Sequence, residues 1–205
     1  VDLFFNGYAS GVQYFPVADG YLTDLSKGGG RAAGQYGGTQ FIWDANKGIE
    51  VLPPHIQANN GSWTRNGQKL LVNADLDGNA ISSAALLDSA TGRLRNLGSL
   101  NGDTCGGSGS IGSASSYGWA VGTAYLDVDG DGYCEHSSKP EILPFLWTEK
   151  GGLRKLDTSG HDFEVEGWMR AHAISGDGRV ALGGTNMSNA QAWIDGGPRI
   201  DLWKK

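Results

Sequence analysis

Methionine and cysteine are scarce in this chain, at two each among 205 residues, and proline (six) and histidine (four) are almost as rare. Two cysteines cannot make a disulfide-dense scaffold, so a folded state has to rest on buried apolar surface. His55, His136, His161 and His172 are scattered, with no H-E-x-x-H and no paired Cys/His spacing, which leaves a catalytic zinc centre unsupported. No G-x-S-x-G elbow occurs either. No apolar run approaches the roughly 20 residues of a membrane-spanning helix. There is no leader with a basic start, so Val1 reads as a processed start. A strong charge of one sign is also absent. Sixteen Lys and Arg stand against 22 Asp and Glu, for a net −6, which falls to −2 once the four carboxylates of one short stretch are set aside. Nucleic acid is therefore not an expected partner.

Glycine is what the chain has in quantity, at 34 residues, about twice the ordinary usage. It is dispersed between aromatic and β-branched runs and follows no G-X-Y period, which argues for many short strands joined by tight turns. Those runs recur. Ala173 to Gly184, then Ala190-Gln191-Ala192-Trp193-Ile194, then Arg199-Ile200-Asp201-Leu202 form the clearest copy. Its second half returns as Phe41-Ile42-Trp43 with Gly48 to Leu52, and as Phe145-Leu146-Trp147 with Gly152 to Leu156. Leu86-Leu87 with Gly92 to Leu97 repeats it without the Trp, and Gln13-Tyr14-Phe15 with Gly20 to Leu25 reads as a fifth copy. Anchors then fall at Phe15, Trp43, Leu87, Trp147 and Trp193, in steps of 28, 44, 60 and 46.

Short alternating strands at such a period predict stacked β-units, with the anchors packed between neighbours. The expected fold is all-β: a β-propeller-like array of about four to five antiparallel blades in a single domain, 1–205. The units run near 1–25 (partial), 26–58, 59–100, 101–160 and 161–205. The first copy lacks its inner strands, so the ring does not close neatly. Either the first 25 residues complete a blade in an unusual way or the chain is a piece of a larger propeller, and the reading leans to the latter.

The pattern A-I-S-x-D-G-x-V-A-x-G, then A-x-x-W or F-x-W, then G-x-x-x-x-L resembles the HAF-type probable extracellular repeats of bacterial secreted and surface proteins. The likeness is strongest over 144–156 and 173–202. It implies an exported propeller-like domain and brings no catalytic residues with it.

The step of 60 is lengthened by an insertion holding Asp127-Val128-Asp129-Gly130-Asp131-Gly132-Tyr133-Cys134-Glu135. Asp127, Asp129, Asp131, the Tyr133 carbonyl and Glu135 alternate, and Gly130 and Gly132 allow the turn that would bring five oxygens to one point. Unneutralised, such carboxylates repel by about 1 kcal/mol per pair even at the dielectric of water, so a Ca2+ ion is the expected ligand. The EF-hand pattern fails, since its twelfth position is Ser138. The shorter loop resembles those of integrin-type propellers, and the competing reading is a solvated Asp/Gly turn. Asn73, Asp75, Asp77 and Gly78 form a weaker second candidate. Cys105 and Cys134 are expected to pair, closing a loop of about 30 residues for roughly 3 to 4 kcal/mol in the chain-entropy model. That pairing implies an oxidising setting, extracellular, at the cell surface or periplasmic.

Strand alternation would put Glu164, Glu166, Trp168, Arg170 and His172 on one face. Two acids, an Arg and a Trp could hold a glycan, or form a solvated face or an inter-blade salt bridge. The functional expectation is a calcium-stabilised, non-catalytic structural or binding module with a protein partner or a surface assembly. The alternative is a carbohydrate-active enzyme, a glycosidase or lyase.

Overall fold

The computed structural model describes residues 3–6, 12–15, 20–76, 78, 82–98, 100, 111–114, 118–125, 142–163, 167–185 and 189–202. A hairpin of β1 (Leu3–Asn6) and β2 (Val12–Phe15) precedes four four-stranded sheets. The first sheet is β3 (Gly20–Leu25), β4 (Arg31–Tyr36), β5 (Thr39–Asp44) and β6 (Gly48–Val51). The second is β7 (Ile56–Trp63), β8 (Lys69–Ala74), β9 (Ser83–Asp88) and β10 (Leu94–Asn96). The third is β11 (Ile111–Ala114), β12 (Ala120–Tyr125), β13 (Ile142–Thr148) and β14 (Gly152–Lys155). The fourth is β15 (Met169–Ile174), β16 (Val180–Thr185), β17 (Ala190–Ile194) and β18 (Arg199–Asp201). Each is an antiparallel meander in chain order. Among the described residues no helix is long and apolar enough to cross a membrane.

Trp43, Leu87, Trp147 and Trp193 occupy one register position on the third strand of each sheet. They pair with Ala32, Leu70, Ala120 and Ala181 on the second strand. Where the anchor shrinks to Leu87, its partner grows to Leu70, so the pair keeps roughly its volume. The fourth strand is closed the same way in every sheet. The amides of Leu52, Leu97, Leu156 and Leu202 donate to the carbonyls of Gln40, Ala84, Pro144 and Ala190, at 2.9 to 3.0 Å. Gly20–Leu25, read from sequence as the end of the partial first unit, is instead the opening strand of the first full sheet.

The sheets stack in sequence through apolar clusters. Ala33 and Ile42 of the first sheet meet Leu70, Val72 and Leu87 of the second. Leu71, Leu86 and Leu97 meet Ala120, Phe145 and Trp147 of the third. Val121, Leu146 and Leu156 meet Ala171, Ala181 and Trp193 of the fourth. The anchor-bearing face of each sheet therefore points back along the chain and the opposite face points forward. First strands touch first strands (β3 with β7, β7 with β11, β11 with β15), so they line the inner side and the fourth strands lie outermost. This is a β-propeller-like array of four antiparallel blades.

Candidate functional site

An antiparallel meander sends the first-to-second and third-to-fourth turns to one end of a blade, and the remaining connections to the other. The turn end is built from Ser/Thr-x-x-Gly. Ser26, Thr64 and Ser175 receive the amides of Gly29, Gly67 and Gly178 at 2.7 to 2.8 Å, and their hydroxyls accept from Arg31, Lys69 and Val180. The glycine sits at φ 67°, 67° and 77°, which an L side chain adopts only at a cost.

At this end Arg31 ties the first blade to the second. Its Nε pairs with Asp44 at 2.8 Å, and its Nη1 donates to the Gly67 carbonyl and, at 2.7 Å, to Ser89 Oγ. The guanidinium hydrogen bond holds the Asp44 carboxyl below its usual range. An open groove of about 470 Å³ runs beside it, past Ser26, Asp44, Arg65, Asn66 and Gln68.

The opposite end collects the longer connections. Residues 75–82 link β8 to β9, 97–110 link β10 to β11, 126–141 link β12 to β13, and 156–168 link β14 to β15. By sequence position the acidic stretch falls between β12 and β13, and Cys105 between β10 and β11, so both belong to connections that leave from this end. Asp127, Asp129, Asp131, Tyr133, Glu135, Cys105 and Cys134 themselves lie outside the described residues, as do Glu164 and Glu166. At the second calcium candidate, Asp75 Oδ1 accepts from the Gly78 amide at 2.8 Å, the bond of an Asx-type turn.

Trp168 and Arg170 enter from this end onto the inner strand of the fourth blade. The Arg170 guanidinium stacks over the Trp168 ring, 4.3 Å from its centroid, and its Nε is buried without an acceptor among the described residues. His161 Nε2 donates to the Gly167 carbonyl at 2.8 Å and its ring meets Phe163 edge-on at 4.3 Å, fixing the approach to the strand. Strict alternation does not carry on to His172. The β15–β16 register shifts between Ala171 and Ala173, and His172 is the bulged residue, exposed to solvent. Desolvation, then the Arg170 charge, lowers the His172 pKa, so the imidazole is neutral at neutral pH. A planar cation stacked on an indole offers a flat face and guanidinium hydrogen-bond donors, suited to a sugar ring or an aromatic side chain.

Sequence reading missed Asp157, which joins the third and fourth blades. Its Oδ1 accepts from the Ser159 hydroxyl at 2.5 Å and from the Ser159 amide at 3.0 Å. Its Oδ2 accepts from the Arg199 amide at 2.9 Å, and its carbonyl accepts from Trp193 Nε1 at 2.8 Å. These bonds, the Ser159 hydroxyl first, hold its pKa down to about 2. The one signal available was local, an Asp two residues before Ser159 right after the closing Leu156.

No protein-family model and no curated protein matches the chain. Solved structures do. A structure described as a putative TolB from Agrobacterium tumefaciens has a TM-score of 0.63 at 13% identity, covering 95% of this chain and 65% of its own. The tricorn protease gives a TM-score of 0.57 at 14% identity, covering 90% of this chain and 17% of its own. This chain thus spans less than two thirds of either. Both likenesses are of fold, and they agree with the all-β, blade-by-blade architecture described above.

Proposed function

We propose that the chain is an exported, calcium-stabilised β-propeller module that serves as a non-catalytic structural or binding component at a cell surface or in an extracellular assembly. One observation carries this reading: four carboxylates at two-residue spacing stand in the sequence between β12 and β13, among the longer connections of one blade end. Calcium there neutralises a set of acids that otherwise repel, and ties the insertion down as a surface for a protein partner. The likeness of the repeats to HAF-type extracellular sequences supports export. Cys105 and Cys134, paired, would hold two of these connections together in an oxidising compartment, extracellular or periplasmic.

Thermal unfolding with millimolar calcium and with chelator, under non-reducing conditions, tests it. At a calcium concentration 100 times Kd, binding contributes about 2.7 kcal/mol. For a domain of this size that raises Tm by about 5 to 10 °C. Asp129→Ala is expected to abolish the rise. An unchanged Tm, or an equal rise in the variant, refutes the structural ion.

A second reading, a carbohydrate-active enzyme, draws on the Trp168–Arg170 stack. It needs a carboxylate pair, from Glu164 and Glu166, facing that stack across a bound sugar.

A further inference from the structure

In the second blade the third-strand anchor is only Leu87, and a tryptophan enters the joint from the first strand instead. Trp63 pairs with Leu70, which pairs in turn with Leu87, at the position where the other first strands have Leu25, Ala114 and Ile174. Its ring belongs to the apolar cluster between the first two blades and is 4% exposed. The Trp63 Nε1 is buried with no acceptor among the described residues, whereas the Trp193 indole donates to the Asp157 carbonyl at 2.8 Å. Buried N–H groups in native folds almost always find a partner, so this donor calls for an acceptor from outside the fold.

Trp63 lines a cavity of about 100 Å³ in that joint, toward the end that carries the Ser/Thr-x-x-Gly turns. Ile42 and Trp43 form its apolar wall, and Arg31, Asp44, Lys47 and Ser89 stand around it. The open groove of about 470 Å³ shares Arg31 and Asp44 with this cavity, so the two lie side by side on one ion pair. The cavity has room for a side-chain head group, and the groove for the chain that carries it.

The fold uses one cation here for itself. Arg31 bonds Asp44, the Gly67 carbonyl and Ser89 Oγ, which fixes its guanidinium between the blades. Lys47 beside the cavity and Arg65 beside the groove are exposed, and neither has an ion pair among the described residues. Against them stands Glu50, exposed and likewise without an ion pair among the described residues. With Asp44 held by Arg31, the charges left unspent are two cations and one acid, in a chain whose net charge is −6. Together with the orphaned indole N–H, they favour a ligand that accepts hydrogen bonds and carries negative charge.

From this we infer that the joint between the first and second blades is a docking site for an acidic segment of a partner protein. One carboxylate enters the cavity and accepts from Trp63 Nε1, with the Lys47 ammonium beside it, and the segment continues along the groove past Arg65. The groove argues for a segment over a free acid, because Arg65, Asn66 and Gln68 extend the polar surface beyond what a single carboxylate covers. The site lies at the opposite end of the blades from the acidic insertion and does not depend on calcium.

Fluorescence anisotropy of a labelled peptide with two adjacent Glu residues between Gly-Ser ends, titrated with the chain in low salt and chelator, tests it. The same peptide with Gln is expected to bind about tenfold more weakly, and so is the Glu peptide to Trp63→Phe, since each loses a charge-assisted bond. Lys47→Gln and Arg65→Gln are expected to weaken binding by about two- to fivefold, and Glu50→Gln to strengthen it by a similar factor. These three replace exposed, unpaired side chains, so unchanged melting is expected to confirm folding, and they decide the matter if Trp63→Phe does not fold. Absence of binding by the Glu peptide overturns the inference, as does equal binding of the Gln peptide or full affinity in Trp63→Phe. Weaker binding by Glu50→Gln would assign the joint to a cation and overturn it too. Acetate that displaces the peptide at matched carboxylate concentration would assign the cavity to free acids instead of a docked segment.

Discussion

Asp157 joins the third and fourth blades through both its carboxylate and its backbone carbonyl. It sits directly after Leu156 closes the third blade, and it fastens both the backbone entering the last strand and the anchor Trp193 of the fourth. Its pKa of about 2 against an ordinary 3.8 means the folded state favours the ionised form. That stability is fully present above the unfolded value and is lost as pH falls through the folded one, here between about pH 4 and 2. Discounted for solvent screening, the contribution is on the order of 1 kcal/mol. Asp157→Asn is therefore expected to lower Tm at neutral pH and to flatten the acid limb of a Tm-against-pH profile between pH 4 and 2. An acid limb identical to that of the wild type would remove Asp157 from this role.

At the scale of the element, the third and fourth strands were legible and the first was not. Trp43, Trp147 and Trp193 each follow an apolar run and precede a turn, and burial of a large aromatic between blades keeps that pattern recognisable across copies. Leu87 was legible only through its neighbours, since Leu70 supplies the missing bulk from another strand. The first strands carry a register shift in every sheet, at Leu22/Asp24, Gln57/Ser62, Ile111/Ser113 and Ala171/Ala173. A bulge depends on hydrogen bonding to the neighbouring strand and leaves no period-2 trace. That is why Gly20–Leu25 was mistaken for a closing strand and why His172 left the face assigned to it. The second strand pays for the bulge with glycine. A Cβ on Gly183 would lie 1.9 Å from the Arg170 carbonyl oxygen and 3.0 Å from the Trp193 ring, and one on Gly34 2.5 Å from the Tyr21 carbonyl. Gly183→Ala is thus expected to destabilise by about 1 to 3 kcal/mol, as overpacking does. Chemical denaturation would read it as a lower midpoint at unchanged m. It should also disturb the Arg170–Trp168 stack at the start of the neighbouring strand, visible as a change in near-UV dichroism, whereas Gly28→Ala, in open space and without a positive φ, should leave that signal alone.

Over the whole molecule, stability follows from how many faces of each blade are covered. The second and third blades are packed on both sides, and Leu70, Leu71, Val72, Ala84, Ala85, Ala120, Val121 and Phe145 are 0% exposed. Among the described residues, Ile49 and Val51 of the first blade and Ile194 and Ile200 of the fourth are between 42% and 56% exposed. In a stacked array each unit is held by its own strands and by its nearest neighbours, so opening should begin at the ends and reach the centre last. Amide hydrogen exchange is expected to rank β8, β9, β12 and β13 as most protected and β6 and β18 as least. Calcium at the β12–β13 connection should raise protection at the centre and at the third blade, at any protein concentration. Uniform protection across all four blades would instead mean that the array opens as one cooperative unit, with the blades no longer separable in stability.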